Sequence, residues 1–275
     1  MEVVTADGVL RTVNEHRDAD LFWALRGVSI YQFFYKSSAP RSTTDRSQGN
    51  GGSFAVLVSV TVKAYPALPH TFVRYSYNTT GDSDAFWSLI AYWTSLLPQF
   101  SEAGLMGYHY PEPNDPSEKN ASISGKLHGS YFGPELSKSQ VEALLAPVNE
   151  HIRNAKWGAP IFASNISTSG TNYSALMATG FADAKVGVPL RLASRLFDGK
   201  ALAKPFDELK AALKKANGQS RGLQIFNVAG KGAREPMGGI PGGSNALLPA
   251  WRSAYAHVST YHPASLTRTR LSSLR

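Results

Sequence analysis

A glycine-rich loop is the part of this sequence best suited to hold a ligand. It runs from Gly49 to Phe54 in the order Gly-Asn-Gly-Gly-Ser-Phe. Because glycine has no Cβ, the backbone at Gly49, Gly51 and Gly52 can approach a flat or anionic ligand and donate its N–H groups to it. A tight turn would use the same residues, so the loop alone leaves a binding site and a structural turn open. It is not a dinucleotide fingerprint, because it ends in Phe54 and leads into a predicted strand.

Other catalytic patterns receive little support from the sequence. There is no cysteine and no Gly-x-Ser-x-Gly elbow, which removes thiol chemistry and the usual hydrolase nucleophile. A second glycine-rich run, from Gly230 to Gly243, lacks the spacing of a phosphate loop and is interpreted as a surface loop. None of the seven histidines pairs at helical ligand spacing, so we expect no metal site.

The elements around the glycine loop are predicted from apolar periodicity. An Asp-Gly turn inside Glu2 to Val13 predicts a β-hairpin. Asp18 or Asp20 is a candidate cap for a short helix that ends at Gly27. After the loop, the β-branched run from Phe54 to Tyr65 predicts a long strand.

Beyond Pro66 the pattern changes to strands and helices that each have one apolar face. This predicts an antiparallel sheet covered on one side by helices, within an α+β fold. The predicted strands are His70–Tyr77, Met106–Tyr110, Ser122–Tyr131 and Gly222–Ala229. The predicted helices are Asp84–Ala103, a helix opening at the capping box Ser137–Gln140, and Pro205–Ala216. The residues predicted to face inward are Val141, Leu144, Leu145, Val148 and Ile152 on the second helix and Phe206, Leu209 and Leu213 on the third.

The glycine loop is interrupted. If Val28 to Gln48 is set aside, the two flanks form one continuous motif. It reads Asp20-Leu21-Phe22-Trp23-Ala24-Leu25-Arg26-Gly27 followed directly by Gly49-Asn50-Gly51-Gly52-Ser53-Phe54, and then by the strand that ends before Pro66. The joined string resembles the FAD-linked oxidases of the vanillyl-alcohol-oxidase and p-cresol-methylhydroxylase type, berberine-bridge-like and fungal in character.

The resemblance implies a domain order and a cofactor site. Residues 1–66 would be the C-terminal part of a p-cresol-methylhydroxylase-type FAD-binding domain, and residues 67–257 the antiparallel substrate domain. In that family the loop and the following strand lie beside FAD, which carried over by position gives Gly49, Gly51, Gly52, Ser53 and Val56 as cofactor-binding candidates. Ala55 stands where the family pattern usually has glycine, and its methyl group would crowd the cofactor.

Two segments do not fit the family. Val28–Ser29 can be encoded by GTGAGT and Gln48 by CAG, so one hypothesis is that residues 28–48 are a retained intron; a natural surface insertion is the alternative. The segment 258–275 is interpreted as a non-family tail of the same origin. The family's upstream flavin-attaching subdomain and C-terminal catalytic segment are not recognised, so we expect this chain to be an inactive fragment.

The resemblance implies a flavin oxidase of alcohol, sugar or secondary-metabolite substrates, with dioxygen as electron acceptor. No catalytic base is assigned. The strand-like segments that resemble the flavin-facing sheet contain the pocket candidates Tyr108, Tyr110, His128, Tyr131, Ser194 and Arg195. A place in the core or on a solvent-exposed face is the alternative for each of them. The alternative is a non-catalytic binding domain built on the same sheet.

Charge and targeting signals bear on partners and location. Of the net charge of +8, residues 28–48 contribute +2 and residues 258–275 contribute +3, so a nucleic-acid partner is not expected. No membrane-length apolar run and no signal peptide are recognised. Four sequons, at Asn78, Asn120, Asn165 and Asn172, indicate a parent protein that is secreted and glycosylated.

Overall fold

The computed structural model describes residues 1–26, 54–62, 64, 69–170, 190–227, 246 and 249–263, apart from the side chains of residues 121, 164–170, 190–191 and 261–263. The chain divides into two compact units. One contains residues 1–66 and 231–253, and the other contains residues 67–230 and 254–275. The inserted segment 28–48 and the glycine loop 49–53 lie outside the described residues.

The first unit is built on a three-stranded antiparallel sheet in the order β2-β1-β3. The strands are β1 (Glu2–Thr5), β2 (Leu10–Thr12) and β3 (Ala55–Ser59). The predicted hairpin is confirmed, with Gly8 at a φ of 78° in its turn. Such a positive φ suits glycine because it has no side chain to clash.

Helix α1 (Ala19–Leu25) completes the described elements of this unit, together with a 3₁₀ turn at Pro249–Arg252. Asp18 is the N-cap, but its backbone is left-handed and its side chain makes no capping hydrogen bond, so the predicted side-chain cap is wrong for Asp18. The strand predicted over Phe54 to Tyr65 is also shorter than expected. Its regular pairing with β1 ends at Ser59.

The second unit contains a seven-stranded antiparallel sheet in the order β7-β4-β6-β5-β9-β10-β8. Its strands are β4 (His70–Thr79), β5 (Met106–Glu112), β6 (Gly125–Pro134), β7 (Phe162–Gly170), β8 (Leu190–Asp198), β9 (Leu223–Asn227) and β10 (Ala254–Pro263). The predicted α+β class with an antiparallel sheet is confirmed.

Its helices are α2 (Asp84–Ser95), α3 (Leu97–Glu102), α4 (Lys138–Asn154), α5 (Gly199–Leu202) and α6 (Phe206–Asn217). The prediction of one helix over Asp84–Ala103 is wrong, because the chain breaks at Leu96 and α3 restarts with Pro98 in its first turn. Proline has no N–H for the helix ladder and is accommodated best at a helix start.

The core of this unit lies between one face of the sheet and the helices. Helix α2 contributes Trp87, Ile90 and Trp93, and the predicted inward residues of α4 are buried as well, except Leu144, which is partly buried. Phe206 was expected to point inward, but it is 40% exposed. Its ring instead lies near the ammonium group of Lys210, 5.6 Å from Nζ.

Strand β10 continues past the expected start of the C-terminal tail. Val258 is buried, and Thr260 is in register with both Leu223 on β9 and Ala193 on β8. Residues 258–263 are therefore paired in the sheet, although the segment 258–275 was interpreted as a non-family tail. Residues 264–275 lie outside the described part of the chain.

Candidate functional site

The side of the large sheet opposite its helices carries a group of aromatic rings. Tyr108 and Tyr110 on β5 stand there with Phe132 on β6 and Phe226 on β9. We call this surface the open face. Successive side chains of a strand point to opposite sides, so the open-face residues alternate with the buried core residues.

The register brings these rings together from strands that are distant in sequence. Tyr108 is directly opposite Phe226, with ring centroids 5.3 Å apart, and lies 6.1 Å from Phe132. Tyr110 is 6.2 Å from Phe226 in an edge-to-face arrangement. Centroid separations in this range are typical of favourable aromatic pairs, so the rings form a continuous apolar platform.

An imidazole and a carboxylate meet at one side of this platform. His128 Nε2 lies 3.5 Å from Glu112 Oε2, and the other carboxylate oxygen lies 3.5 Å from Arg221 Nε. The His128 ring also stacks on Tyr110, with centroids 5.4 Å apart and planes 28° apart. The Glu112 side chain is 11% exposed whereas that of His128 is 37% exposed, so a sheltered carboxylate orients an accessible imidazole.

The structure places only part of the predicted pocket set on this platform. Tyr108, Tyr110 and His128 lie together, and Ser194 is exposed on β8 opposite Ser259, three strands away from β5. Arg195 is in register with the core residue Val258 and donates a hydrogen bond to the Ser194 carbonyl oxygen. These two residues therefore stand apart from the rings.

Tyr131 does not belong to the open face. It is 2% exposed and packs in the core against Tyr75, with ring centroids 5.1 Å apart. The next residue, Phe132, takes the opposite orientation and reaches the platform. Burial raises the pKa of Tyr131 well above the usual tyrosine range. Of the roles left open for Tyr131, the structure therefore gives the core rather than a substrate pocket.

The sequence reasoning missed Glu112, Phe132 and Phe226. Phe226 could have been found from alternation, because its neighbours Leu223 and Ile225 are buried on the other side of the same predicted strand. Glu112 had no local signal, since it lies beyond the predicted end of its strand and its partners come from β6 and from the segment before β9.

A second polar group lies beneath the sheet, in the core. Tyr75 Oη and His109 Nδ1 share a hydrogen bond of 2.6 Å, and Trp93 packs edge-on against the imidazole at 4.2 Å. Burial lowers the pKa of His109 well below its usual value, and burial likewise raises the pKa of Tyr75. A neutral imidazole therefore lies in the core, without access to solvent.

Of the predicted cofactor-binding residues, Val56 is the one within the described part of the chain. Gly49, Gly51, Gly52 and Ser53 lie outside it. Val56 is 69% exposed on β3, whereas the neighbouring Ala55 packs into the small core formed with Val3, Val13 and Leu25. The methyl group of Ala55 therefore points away from the exposed side of β3 and does not crowd a ligand there.

Comparison with known proteins gives sequence relatives along nearly the whole chain. No protein-family model matches. An uncharacterized FAD-linked oxidoreductase of Arthroderma benhamiae is 26% identical over 262 residues, which cover 94% of this chain and 40% of that protein. A bifunctional decalin synthase of Penicillium decumbens is 27% identical and aligns with 98% of this chain and 42% of its own length.

Solved structures show the same fold. A VAO-type flavoprotein from Myceliophthora thermophila superposes with a TM-score of 0.75 at 18% identity, covering 94% of this chain and 42% of that one. The chain is a homologue of FAD-linked oxidoreductases and has the VAO-type fold. A xylooligosaccharide oxidase from the same organism, solved with xylobiose, is similar at a TM-score of 0.57.

This FAD-linked oxidoreductase homologue spans about two fifths of the length of the relatives it matches. The predicted resemblance to the VAO and berberine-bridge-like superfamily is confirmed, as is the association of its relatives with FAD. Among the described residues, no helix is both long and apolar enough to span a membrane.

Proposed function

We propose that the chain is part of an FAD-dependent oxidoreductase that oxidises an alcohol, a sugar or a secondary metabolite by removing hydride from a C–H bond, with dioxygen as electron acceptor. The observation that carries the proposal is the open face, where an imidazole paired with a carboxylate adjoins an aromatic platform. Such a surface suits a small molecule with apolar faces and at least one hydroxyl group.

The exposed apolar side of β3 is compatible with FAD. Val56 and Val58, which share one side of β3, are 69% and 57% exposed and give a flat ring system apolar surface to contact. Together with the backbone of the glycine loop, Val56 would hold the cofactor. When bound, the flavin supplies hydride acceptance, and the protein supplies position and proton handling.

The residues of the open face have distinct roles in this proposal. The rings of Tyr108 and Tyr110 stack on the substrate and exclude water from its reacting carbon, and the buried ring of Phe226 packs against both. His128 directs Nε2 at Glu112, which leaves Nδ1 to accept the proton of a substrate hydroxyl. The Glu112 carboxylate stabilises the imidazolium that results, and Arg221 keeps the carboxylate in place.

For this chain on its own we propose little or no turnover. The support is its coverage of only 40% of the Arthroderma relative, and the apolar surface that β3 leaves exposed. Titration of the purified chain with FAD, followed by flavin fluorescence, should show weak binding or none. A chain that purifies with one flavin per molecule and reduces it on adding substrate would contradict this part of the proposal.

The role of His128 is tested by binding rather than turnover. The purified chain is titrated with pairs of alcohols, sugars and aromatic metabolites that differ by one hydroxyl group, and binding is followed by ligand-observed NMR. We expect the hydroxylated member to bind roughly five-fold more tightly, as one hydrogen bond is worth about 1 kcal/mol. His128→Phe should remove this preference, because it keeps a ring against Tyr110 and removes both nitrogens.

Ser130→Ala is the matched control, since Ser130 is the next open-face residue on the same strand, and it should keep the preference. If the wild-type chain binds both members of every pair equally, His128 is not the hydroxyl partner. That result would favour the alternative of a non-catalytic binding domain on the same sheet.

A further inference from the structure

The sequon at Asn120 lies in an exposed loop that precedes β6. Asn120 and Ser122 are both exposed, and Asn120 is the N-cap of a single 3₁₀ turn, Ala121–Ile123. The Oδ1 atom of Asn120 accepts a hydrogen bond from the backbone N–H of Ser122 at 3.0 Å. Among the described residues, the Nδ2 atom has no protein partner. The nitrogen that would carry a glycan is therefore turned to solvent.

The sequon at Asn78 has a different environment. Asn78 lies near the end of β4, which is paired on both sides, with Lys126 on β6 and Phe162 on β7 as its direct neighbours. Its side chain is half-buried on the open face and accepts a hydrogen bond from Ser76 Oγ at 2.8 Å. A glycan attached here would have to lie across the two neighbouring strands.

The position of Asn78 also conflicts with an accessible open face. Asn78 is in register with Lys126, which is in register with Glu112 on β5. A branched sugar at Asn78 would therefore lie within two strands of the carboxylate that orients His128. Asn120 belongs to a loop outside this row of paired residues, so a glycan there leaves the row uncovered.

We infer that Asn120 is an N-glycosylation site of this chain in the secretory pathway, and that Asn78 stays unmodified. The donor is an oligosaccharide linked through pyrophosphate to a polyprenyl lipid. The Asn120 Nδ2 atom forms a bond to the anomeric carbon of the first sugar as the bond from that carbon to the phosphate oxygen breaks. The amide loses one proton, and the lipid pyrophosphate leaves. Asn165 lies in β7 with its side chain outside the described residues, and Asn172 lies outside the described residues altogether.

The inference is tested by fusing a cleavable signal peptide to the full chain and expressing it in yeast. Enzymatic removal of N-glycans in heavy-oxygen water converts each modified asparagine to a labelled aspartate. Trypsin then separates the two sequons, since Asn120 falls in the peptide Asn120–Lys126 and Asn78 in Tyr75–Lys119. We expect the label in the first peptide and none in the second.

Two variants serve as controls for the Asn120 peptide. Ser122→Ala removes the hydroxyl that the sequon requires and should abolish the label, whereas Ser124→Ala lies just outside the sequon and should keep it. If the chain is retained inside the cell, the same two peptides are compared in the lumenal fraction of the endoplasmic reticulum. An unlabelled Asn120 in the wild-type chain, or a labelled Asn78, would overturn the inference.

Discussion

At His109, two glycines make room for the imidazole. Gly129 is directly opposite His109, and Gly107 lies two residues earlier on the same strand. A Cβ at Gly129 would collide with the Tyr108 carbonyl oxygen, and one at Gly107 with that of Ser130. The close packing of these strands thus depends on glycine and leaves His109 a space from which water is excluded.

Acid should destabilise the fold through His109. The pKa of His109 is lowered in the folded state, so below the ordinary histidine pKa of about 6.5 the unfolded chain binds a proton that the folded chain does not. The contribution of His109 to the free energy of unfolding is therefore fully present above a pH of about 6.5. It is lost as the pH falls below that point, by at most about 1.4 kcal/mol per pH unit. Urea unfolding between pH 7 and pH 5 measures the slope.

His109→Gln should flatten this slope, because glutamine does not titrate there. The comparison concerns the slope and not the absolute stability, which the substitution also changes through packing. His16→Gln is the control, since the side chain of His16 is 79% exposed, and its slope should match the wild type. Equal slopes for His109→Gln and the wild type would show that His109 is not a source of the acid sensitivity.

At the scale of elements, α4 begins where local sequence predicts. Ser137 Oγ accepts from the Gln140 backbone N–H at 3.3 Å, and Gln140 Oε1 accepts from the Ser137 backbone N–H at 2.8 Å. The two bonds satisfy donors that a helix start otherwise leaves unpaired. This reciprocal cap depends on residues three apart in sequence, which is why the pattern was sufficient to find it.

Removal of this cap should destabilise the second unit. Ser137→Ala deletes one bond of the pair, and we expect a loss of about 1 kcal/mol in the free energy of unfolding. Chemical denaturation followed by tryptophan fluorescence measures it, because Trp87 and Trp93 lie in the core that α4 covers. Glu150→Ala, an exposed change on the same helix, should stay within about 0.5 kcal/mol of the wild type. Equal effects of the two changes would contradict the cap.

The same scale shows why some elements were mispredicted. The apolar spacing of Asp84 to Ala103 continues across Leu96 and Pro98, so the periodicity predicted a single helix. The structure has two helices, and Pro98 lies in the first turn of the second one. Phe206 has the spacing of an inward residue, but it is the first residue of α6 and is 40% exposed. The register of a strand and the end of a helix depend on the residues that the element packs against. The apolar periodicity of one segment carries no information about those residues.

At the scale of the whole molecule, apolar burial is uneven between the two units. The second unit has a large core, whereas the described core of the first unit consists of Val3, Val13, Leu25 and Ala55. Val56, Leu57 and Val58 are exposed on both sides of β3, and Val60 and Val62 follow them. Apolar strands with such exposure are prone to self-association.

Charged substitutions on β3 should therefore reduce self-association. We expect the double variant Val58→Lys and Val62→Lys to remain monomeric at concentrations where the wild-type chain forms larger species by light scattering. Leu192→Lys is the control, because Leu192 is a similarly exposed apolar residue, 64% exposed, on a strand at the edge of the large sheet. A wild-type chain that is monodisperse at high concentration would contradict this role of β3.

The sequence by itself predicted the resemblance to FAD-linked oxidoreductases, the α+β class, most helices and strands, and Tyr108, Tyr110 and His128 among the residues of the open face. Those features depend on the spacing of apolar residues within short segments and on the residue order of the glycine loop. Only the tertiary structure decided that Tyr131 is a core residue while Phe132 joins the platform, because that choice depends on which side of β6 the helices cover. The pairing of His128 with Glu112 and Arg221 was likewise decided by strand register, which brings together residues far apart in the chain.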